Sequence, residues 1–562
     1  MTELVLPGVF IEVRPEGLIV PGAITVGNLG VVGTAAKGPV GVPQLLGSYS
    51  DALARFGAYD PFDAENPNDP DKLTLTRALE LAYRFGARTV WAVRAATDGG
   101  AAPVKAGLDL GSATGPNVRV EALTPGTWGN ELTVAVSAGD ANALVRAEEV
   151  AGTPPTLGHF PVLPSAVNRI VVRPAGGGAD AVVPIVYGEA ADPAPAPTQV
   201  RLTLSDGTLT FGTPPAAGAT VVATYMVAKS AAVKVTVKLG VATEEVFSVV
   251  SGDDLVADLE ASSALVRATA LANAGEVLDT LPTTPLAGGT NGASGADYQT
   301  GLDALLEVDA HIIVGAGQDT SFGDNLALHC QNASGDDTKR ERIAIVGTAA
   351  ESDRAQFVQD TSAHTINSDR VVLVGPGITA DDRSVSPVAR VTLPGTYTAA
   401  AVAGLLSARP PHVSLTNSVL AVDGLEHTLS SAELKQLLLS RVLPVERRQG
   451  FRLVRGITTS TNTAWQQITT RRIVDYAKMG VRSAATPYIG SLNNERVRGR
   501  LRASINNVLY GMVLDEMLAP KDGYRLAVTA TRDDEIRGIA RVEIYLRPTF
   551  SIDFIVVTMF LE

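Results

Sequence analysis

The chain has 562 residues, which is too long for one hydrophobic core and predicts three or four domains. Its net charge of −13 at pH 7 argues against a general nucleic-acid-binding protein. The single cysteine, Cys330, excludes an intramolecular disulfide framework and a multi-cysteine metal site. We interpret it as a core residue. We expect no signal peptide and no membrane-spanning segment, because the first residues lack a basic region and no apolar run approaches ~20 residues.

The first residues of the chain are typical of a β-strand. In residues 7–14, PGVFIEVR, apolar side chains alternate at Val9, Ile11 and Val13. An apolar strand at a terminus promotes aggregation unless another strand pairs with it. Two interpretations remain open: an edge strand folded onto its own domain, or a strand that joins the sheet of a neighbouring copy.

The next residues predict a βαβ-like unit. The pattern indicates a buried strand over 26–35, a short helix over 50–57 with Ser50 as its N-cap, a helix over 72–86 and a strand over 89–95. We assign residues 1–22 to an N-terminal arm and residues 23–100 to the first part of a core domain.

From residue 101 to 285 the chain changes to short strands separated by turn clusters rich in Gly and Pro. We predict a middle β-rich domain formed by residues 101–136 and 229–285, with a separate β domain, residues 137–228, inserted into it. The predicted strands cover 131–136, 169–174, 199–204, 219–227 and 232–239.

Strands and helices alternate again over residues 286–548, which we assign to the second part of the core domain. AHIIVGAG, RERIAIVG and DRVVLVGPG are predicted strands that alternate with helical segments. Such alternation indicates a mostly parallel sheet with helices on its faces. The predicted fold is therefore an α/β core with inserted β-rich domains and extended strand arms at both ends.

The C-terminal part of the chain is basic. Residues 441–541 contain 18 Lys and Arg against 9 Asp and Glu, a net charge of +9, whereas the remainder carries −22. A predicted helix over 493–517 has an apolar stripe, and four arginines lie outside it. The pattern favours an acidic partner surface, and a solvated face without a partner is the alternative. The stripe consists of Val497, Leu501, Ile505, Val508 and Met512; the arginines are Arg496, Arg498, Arg500 and Arg502.

The last residues are also typical of a strand. A final core strand is predicted over 539–547, and the C-terminal arm, residues 549–562, alternates apolar side chains at Ile552, Phe554, Val556 and Phe560. The same two interpretations apply to this arm as to the N-terminal one.

No motif of enzyme chemistry accompanies this architecture. The turns VGAG (314–317) and VGPG (374–377) follow predicted strands, but neither forms G-x-G-x-x-G and no G-x-x-x-x-G-K-[ST] occurs, so we interpret both as tight strand-to-helix turns. The six histidines have no metal-ligand spacing, and no G-x-S-x-G is present. We predict no catalytic residues, no metal site and no cofactor, which favours a structural protein over an α/β enzyme with β insertions.

Several segments, in order, resemble the tail sheath proteins of contractile-tailed bacteriophages and related contractile injection particles. They are PGVFIEV (7–13), TVGNLGVVGTAAKGPVGVPQLLGSYSDALARFG (25–57), PGTWGN (125–130), LAGGTNG with DYQTGLDALLEVD (286–309) and FRLVRGITT (451–459). The resemblance covers 1–136 and 229–562, and residues 137–228 look like an added domain on the outside of the particle.

The resemblance implies a structural subunit that polymerises helically as stacked rings around an inner tail tube and contracts to drive the tube through a target envelope. It implies exchange of the terminal arms between copies and a C-terminal basic helix that faces the tube. Implied partners are other copies, the tube protein and the baseplate and tail terminator proteins, without nucleic acid or direct membrane insertion. The implied location is a virion tail or phage-like particle assembled in the host bacterial cytoplasm. A baseplate or other structural component of the same particle is the alternative.

Overall fold

The computed structural model describes residues 26–67, 69, 72–96, 102–240, 243–292 and 297–559. Their contacts form two compact units. Unit 1 contains the described residues of 1–35, 40–96 and 294–562, and unit 2 contains those of 36–39 and 97–293. Helices and several separate sheets occur together, so the predicted mixed α/β class is confirmed.

Helices and strands alternate along unit 1, whereas unit 2 consists mainly of strands. The first part of unit 1 contains β1 (Leu29–Gly33), β2 (Gln44–Leu46), α1 (Tyr49–Phe56), α2 (Leu75–Arg84) and β3 (Val90–Arg94). Unit 2 contains β4 (Gly107–Ser112), β5 (Gly115–Ala122), β6 (Leu132–Ala138), β7 (Ala143–Val150), β8 (Val162–Leu163), β9 (Arg169–Arg173), β10 (Ala181–Val183), β11 (Ile185–Tyr187), β12 (Val200–Leu202), β13 (Leu209–Phe211), β14 (Thr220–Val227), β15 (Val233–Leu239), β16 (Thr243–Val249), α3 (Gly252–Ser262), β17 (Val266–Ala270) and β18 (Leu281–Pro285). The second part of unit 1 contains α4 (Tyr298–Leu305), β19 (Ile312–Gly315), α5 (Gly323–Ala333), β20 (Ile343–Gly347), α6 (Arg354–Ser362), β21 (Val371–Gly375), β22 (Ile378–Asp382), β23 (Ala389–Leu393), α7 (Gly395–Ser407), β24 (Gly424–Leu425), α8 (Ser431–Leu439), β25 (Leu443–Arg447), β26 (Phe451–Leu453), α9 (Ile468–Ala485), α10 (Glu495–Leu514), β27 (Tyr524–Thr529), α11 (Arg532–Ile536) and β28 (Arg541–Leu546).

An eight-stranded sheet lies at the centre of unit 1, in the order β2-β3-β1-β19-β20-β21-β25-β26. The six central strands pair in parallel, and the two outer pairs, β2–β3 and β25–β26, are antiparallel. After β1 the chain forms β3, which pairs with one edge of β1, and much later forms β19, which pairs with the other edge of β1. The strand order therefore reverses between β1 and β19.

Helices cover both faces of this sheet. Neighbouring residues of one strand enter different apolar clusters: Val31 packs with α1, α2 and α7, whereas Val32 packs with α4, α5, α6 and α8. Strands buried on both faces explain why their sequences are continuously apolar rather than alternating. In the cluster that contains Val31, α2 and α7 pack so closely that a Cβ added at Gly404 of α7 would lie 2.2 Å from the carbonyl oxygen of Ala82 in α2.

Two local predictions in unit 1 are wrong. The N-cap of α1 is Ser48, whose hydroxyl accepts the backbone N–H of Asp51, and Ser50 lies inside the helix. The turn over 374–377 leads into strand β22 rather than into a helix. The turn over 314–317 does lead, through a short 3-10 helix, to α5.

The C-terminal part of unit 1 combines two helices with a hairpin. Helices α9 and α10 pack together, and strands β27 and β28 pair antiparallel from Tyr524 opposite Leu546 to Thr529 opposite Arg541. One face of the hairpin packs on the helices through alternate residues, among them Leu526, Val528 and Ile544.

Buried ion pairs join α9 to the sheet of unit 1. Asp475 accepts two hydrogen bonds from Arg370, which precedes β21, at 2.8 and 3.0 Å, and one from Arg471 at 2.8 Å. Arg471 also pairs with Asp369 at 2.9 Å. A second buried carboxylate, Glu341, accepts from Arg482 of α9 at 2.8 and 2.9 Å.

Unit 2 contains two apolar cores. One lies among the sheets β16-β15-β6-β18 and β17-β5-β4 together with α3. The other is drawn mainly from strands within residues 143–227, in sheets β10-β9-β14-β7, with β8 on β14, and β11-β12-β13. The prediction of a purely β-rich segment over 229–285 missed the helix α3, which Ser251 caps by accepting the N–H of Asp254.

Candidate assembly surfaces

Residues 549–559, the C-terminal segment, carry an unusual set of exposed apolar side chains. Ile552 is 80%, Phe554 77% and Val556 91% exposed. Phe550, Ile555, Val557 and Met559 are exposed as well. The segment forms no strand in the described part of the chain, contrary to its alternating pattern, because no other strand runs beside it.

One buried carboxylate attaches this segment to the body of unit 1. Asp553 accepts hydrogen bonds from Arg455 at 2.9 Å, Gln467 at 3.3 Å and Thr416 at 3.2 Å, and its side chain is 6% exposed. The Arg455 guanidinium also lies 5.5 Å from the ring centre of Phe554. A fixed point within the segment therefore separates two apolar stretches that contact solvent.

The β27–β28 hairpin offers unpaired edges to a further strand. Among the described strands, neither β27 nor β28 pairs with any strand except the other. Two-stranded sheets are marginal unless another element covers or extends them. Here α9 and α10 cover one face, and both outer edges keep free backbone donors and acceptors.

The four arginines predicted to face one partner do not share one surface. At 3.6 residues per turn, Arg496 and Arg500 lie roughly 40° apart on the side of α10 away from its core stripe. Arg498 falls within that stripe and pairs with Glu535 at 3.0 Å, its side chain 16% exposed. The prediction that Arg498 lies outside the stripe is therefore wrong, whereas Arg496, Arg500 and Arg502 are exposed.

The core stripe of α10 also differs from the predicted one, because it gains Leu509 and two of its predicted members are not fully buried. Leu501, Ile505, Leu509 and Met512 are buried, whereas Val497 and Val508 are half-buried. Beside the helix, the pKa of Glu535 is lowered by hydrogen bonds from Arg532 and Arg498. The ion pair of Arg498 with Glu535 therefore lies between α10 and α11, on the side of α10 that faces its core stripe.

Four predicted site residues lie outside the described part of the chain: Val9, Ile11, Val13 and Phe560. Sequence reasoning missed strand β27, although its alternation of Tyr524, Leu526 and Val528 is the signal of a half-buried strand. It also missed Asp553, for which the only signal was one carboxylate in an apolar run.

The described residues contain no cluster of three or more His, Cys, Asp or Glu suited to a metal ion. Cys330 is buried in the core of unit 1, where burial raises the pKa of its thiol to about 12, so the thiol is protonated at neutral pH. Among the described helices, none is long and apolar enough to cross a membrane.

The fold is similar to those of two solved sheath tail proteins. The sheath tail protein of Desulfitobacterium hafniense matches with a TM-score of 0.57 at 14% identity, covering 97% of each chain. That of Listeria innocua matches with a TM-score of 0.55 at 12% identity, covering 94% of this chain and 96% of the other. A partial match, with a TM-score of 0.39 and 17% identity over 45% of this chain and 72% of the other, is the sheath complex of an extracellular contractile injection system in its contracted state. A comparison with curated protein sequences finds no match.

Two family profiles match the second half of the sequence. Residues 291–459 match the central domain of phage tail sheath proteins, and residues 460–562 match the phage tail sheath C-terminal domain. The FRLVRGITT segment lies inside the first match, whereas the pieces at 7–13, 25–57 and 125–130 lie before it. The matched family consists of structural proteins rather than enzymes. The two matches together cover residues 291–562, which contain the basic helix, the hairpin and the C-terminal segment.

Proposed function

We propose that this chain is the structural subunit of a contractile tail sheath, which polymerises helically around an inner tail tube and contracts to drive the tube through a target envelope. The observation that carries the proposal is the exposed apolar C-terminal segment, in a chain that also has a hairpin whose outer edges pair with no described strand. The sheath family of residues 291–562 supports it. Assembly in the host cytoplasm and contacts with the tube, baseplate and tail terminator proteins are part of the same proposal.

The C-terminal segment has the chemistry of a strand given to another copy. Its side chains are too apolar to remain in water without cost, since burying one large apolar side chain stabilises by about 1.5–3 kcal/mol. A strand added to an open edge also gains backbone hydrogen bonds worth about 1 kcal/mol each. These gains are of the same size as the cost of ordering the segment, about 1–2 kcal/mol per residue, so they offset it.

The receiving edge in this proposal is the hairpin of a neighbouring copy. The N-terminal arm, with Val9, Ile11 and Val13, supplies a second strand of the same kind. Because the donated strand and the receiving edge occupy different surfaces of one chain, the contact is heterologous and can be repeated from copy to copy, as a ring or a helical array requires.

The test compares variants for polymerisation and for folding. Deletion of residues 554–562, which retains the anchoring Asp553, should give soluble subunits that do not form tubes in negative-stain images, with an unchanged thermal transition. Ile552→Asp with Phe554→Asp should act like the deletion. Asp324→Asn, an exposed change on α5, serves as the control. Normal tubes from the deletion variant would show that the segment is an ordinary frayed terminus.

The exposed arginines of α10 are proposed to face the tube. Arg496 and Arg500 lie opposite the core stripe, and their stretch of the chain carries the net charge of +9. Single exposed ion pairs contribute only about 0–1 kcal/mol and are screened within about 8–10 Å at physiological salt. Weak contacts of this kind hold an extended sheath yet allow it to detach along its whole length.

Charge reversal tests this orientation. Arg496→Glu with Arg500→Glu should favour contracted or tube-free sheath at physiological salt, and high salt should have the same effect on the unchanged protein. Lys229→Glu with Lys435→Glu changes the net charge equally at exposed positions elsewhere and should leave sheaths on their tubes. Equal behaviour of the two double variants would contradict a tube-facing α10.

A further inference from the structure

A cavity of about 190 Å³ opens in unit 1 at the point where the strand order of the large sheet reverses. On one side it is lined by Thr74, whose hydroxyl accepts the N–H of Thr34 just after β1 at 3.1 Å. On the other side it is lined by Gly317 and Gln318, just after β19. Open α/β sheets bind their ligands in this crevice, outside the carboxyl ends of the strands.

Carboxylates without a cationic partner surround the cavity. Asp60, Asp63 and Asp319 are half-buried, and none of them forms an ion pair within the described part of the chain. Each accepts hydrogen bonds from uncharged groups only, such as the N–H of Leu73 to Asp60 at 3.2 Å and that of Ser321 to Asp319 at 2.9 Å. Half-buried charges that are not paired are unfavourable, so the lining favours a cation.

A buried tyrosine hydroxyl supplies a second, independent indication of a ligand. Tyr397 lines the cavity and is 5% exposed, yet its hydroxyl makes no hydrogen bond to a described residue. Burial raises the pKa of this phenol, so it is neutral and able to donate or accept. The neighbouring Tyr298 differs, because its hydroxyl donates to the carbonyl oxygen of Ala316 at 2.8 Å.

The cations already in the lining do not neutralise these carboxylates. Arg77 pairs with Asp382 at 3.3 Å and donates to the backbone oxygen of Asp60 at 2.6 Å. Its guanidinium lies 4.1 Å from the ring centre of Tyr59, so its position is fixed. Lys72 is the other cation of the described lining.

A metal ion does not fit this arrangement. The described residues contain no group of three acidic or imidazole ligands close enough to hold one. The carboxylates are instead distributed around a cavity that also contains aromatic rings and uncharged donors. A compact organic cation with several N–H donors suits such a lining, because it pairs with separate carboxylates and packs against aromatic faces.

We propose that this cavity binds a small organic ammonium group, which donates hydrogen bonds to Asp60 and Asp319 and contacts the hydroxyl of Tyr397. Two sources carry the same chemistry: a free aliphatic diamine, and a lysine side chain of a second copy of this chain. The proposal does not rest on the sheath function, because the first source needs only one subunit and the second needs only two copies in contact.

Isothermal titration calorimetry of the full-length chain tests the proposal with 1,4-diaminobutane, Nα-acetyl-lysine amide and sodium acetate at constant ionic strength. We expect saturable binding of an amine at one site per chain and none of acetate. Tighter binding of the diamine indicates a free amine as the ligand, and tighter binding of the lysine derivative indicates a second copy. Both results support the ammonium site.

Variants locate the binding. Asp60→Asn with Asp319→Asn should weaken amine binding at least about fivefold, the effect of losing about 1 kcal/mol of charge interaction. Tyr397→Phe retains the packed ring, so it tests the hydroxyl even if the double variant does not fold. Asp324→Asn outside the cavity should bind like the parent. The absence of saturable amine binding, full binding by Tyr397→Phe and the double variant, or binding of acetate in place of the amine overturns the proposal.

Discussion

Replacing Asp475 by Asn should destabilise unit 1 by about 3–5 kcal/mol, the usual cost of removing one partner of a buried ion pair. Both carboxylate oxygens of Asp475 accept from guanidinium groups, and the side chain is 7% exposed. In Asn, one oxygen becomes an NH₂ group that faces an N–H donor of Arg370 or Arg471. The two buried guanidinium groups then retain only Asp369 as an acidic partner.

Urea unfolding followed by tryptophan fluorescence measures this loss. The ring of Trp465 lies 4.3 Å from the guanidinium carbon of Arg471 and reports the network directly. Trp91→Phe and Trp128→Phe in the parent remove the other two tryptophans. The two units need not unfold together, so only the transition reported by Trp465 is compared.

The control is Asp515→Asn, which removes the same charge from an exposed position after α10 and should change stability by less than about 0.5 kcal/mol. A loss below about 1 kcal/mol for Asp475→Asn would refute the reasoning. It would mean that water or a rearranged Asp369 compensates the arginines, and that the network does not hold α9 to the sheet.

Three further predictions concern acid stability, helix packing and the outer domain. Burial alone would raise the pKa of Glu341, but hydrogen bonds from Arg482 and Lys478 lower it from 4.5 to about 2. The ionised Glu341 therefore stabilises the fold fully above pH 4.5, and this stabilisation should disappear as the pH falls towards 2. Glu341→Gln should flatten that part of a plot of melting temperature against pH. Gly404→Ala should lower the free energy of unfolding by about 1–3 kcal/mol, because the new Cβ would clash with the Ala82 carbonyl oxygen. Gly499→Ala should instead raise it by up to about 1 kcal/mol in the same denaturation assay, because a Cβ at Gly499 has no atom within 4 Å. Replacing residues 137–228 by a short Gly-Ser linker should leave tubes visible by microscopy, since these residues supply most of the second apolar core of unit 2. Folded protein that cannot polymerise would assign this domain to the subunit contacts.

Patterns of burial made much of the fold predictable from sequence. Continuous apolar runs identified β1, β19, β20 and β21, because strands buried on both faces have little room for polar residues. The helix α3 was missed because its short sequence, GDDLVADLEAS, lies between strands and turns in a segment that otherwise has the composition of a β domain. Ser48 and Ser50 both precede apolar helical positions, so only the backbone geometry decides which one caps α1.

The candidate surfaces were less predictable, because they depend on contacts between distant residues. The sequence places Arg498 among four neighbouring arginines, yet Glu535 of α11 holds it in the packed stripe. Apolar alternation identified the C-terminal segment, but not the anchor of Asp553 on Arg455 and Gln467, 98 and 86 residues away in the chain. The cavity beside the large sheet depends on residues from α2, the turn after β19 and α7, which no local pattern connects.

If the C-terminal segment is donated to a neighbouring copy, as we propose, the anchored carboxylate of Asp553 has a consequence for the fidelity of that exchange. Side chains alternate across a strand, so a slip of one residue would turn every side chain to the opposite face. The buried ion pair with Arg455 fixes the point at which the apolar stretch leaves its own subunit, and thereby limits the registers it can offer. A charge beside the run Phe554–Val557 also opposes amyloid-like stacking of identical free segments, as gatekeeper residues do in other proteins. In this proposal, one aspartate allows a subunit to expose an apolar segment without aggregation until a neighbouring copy binds it.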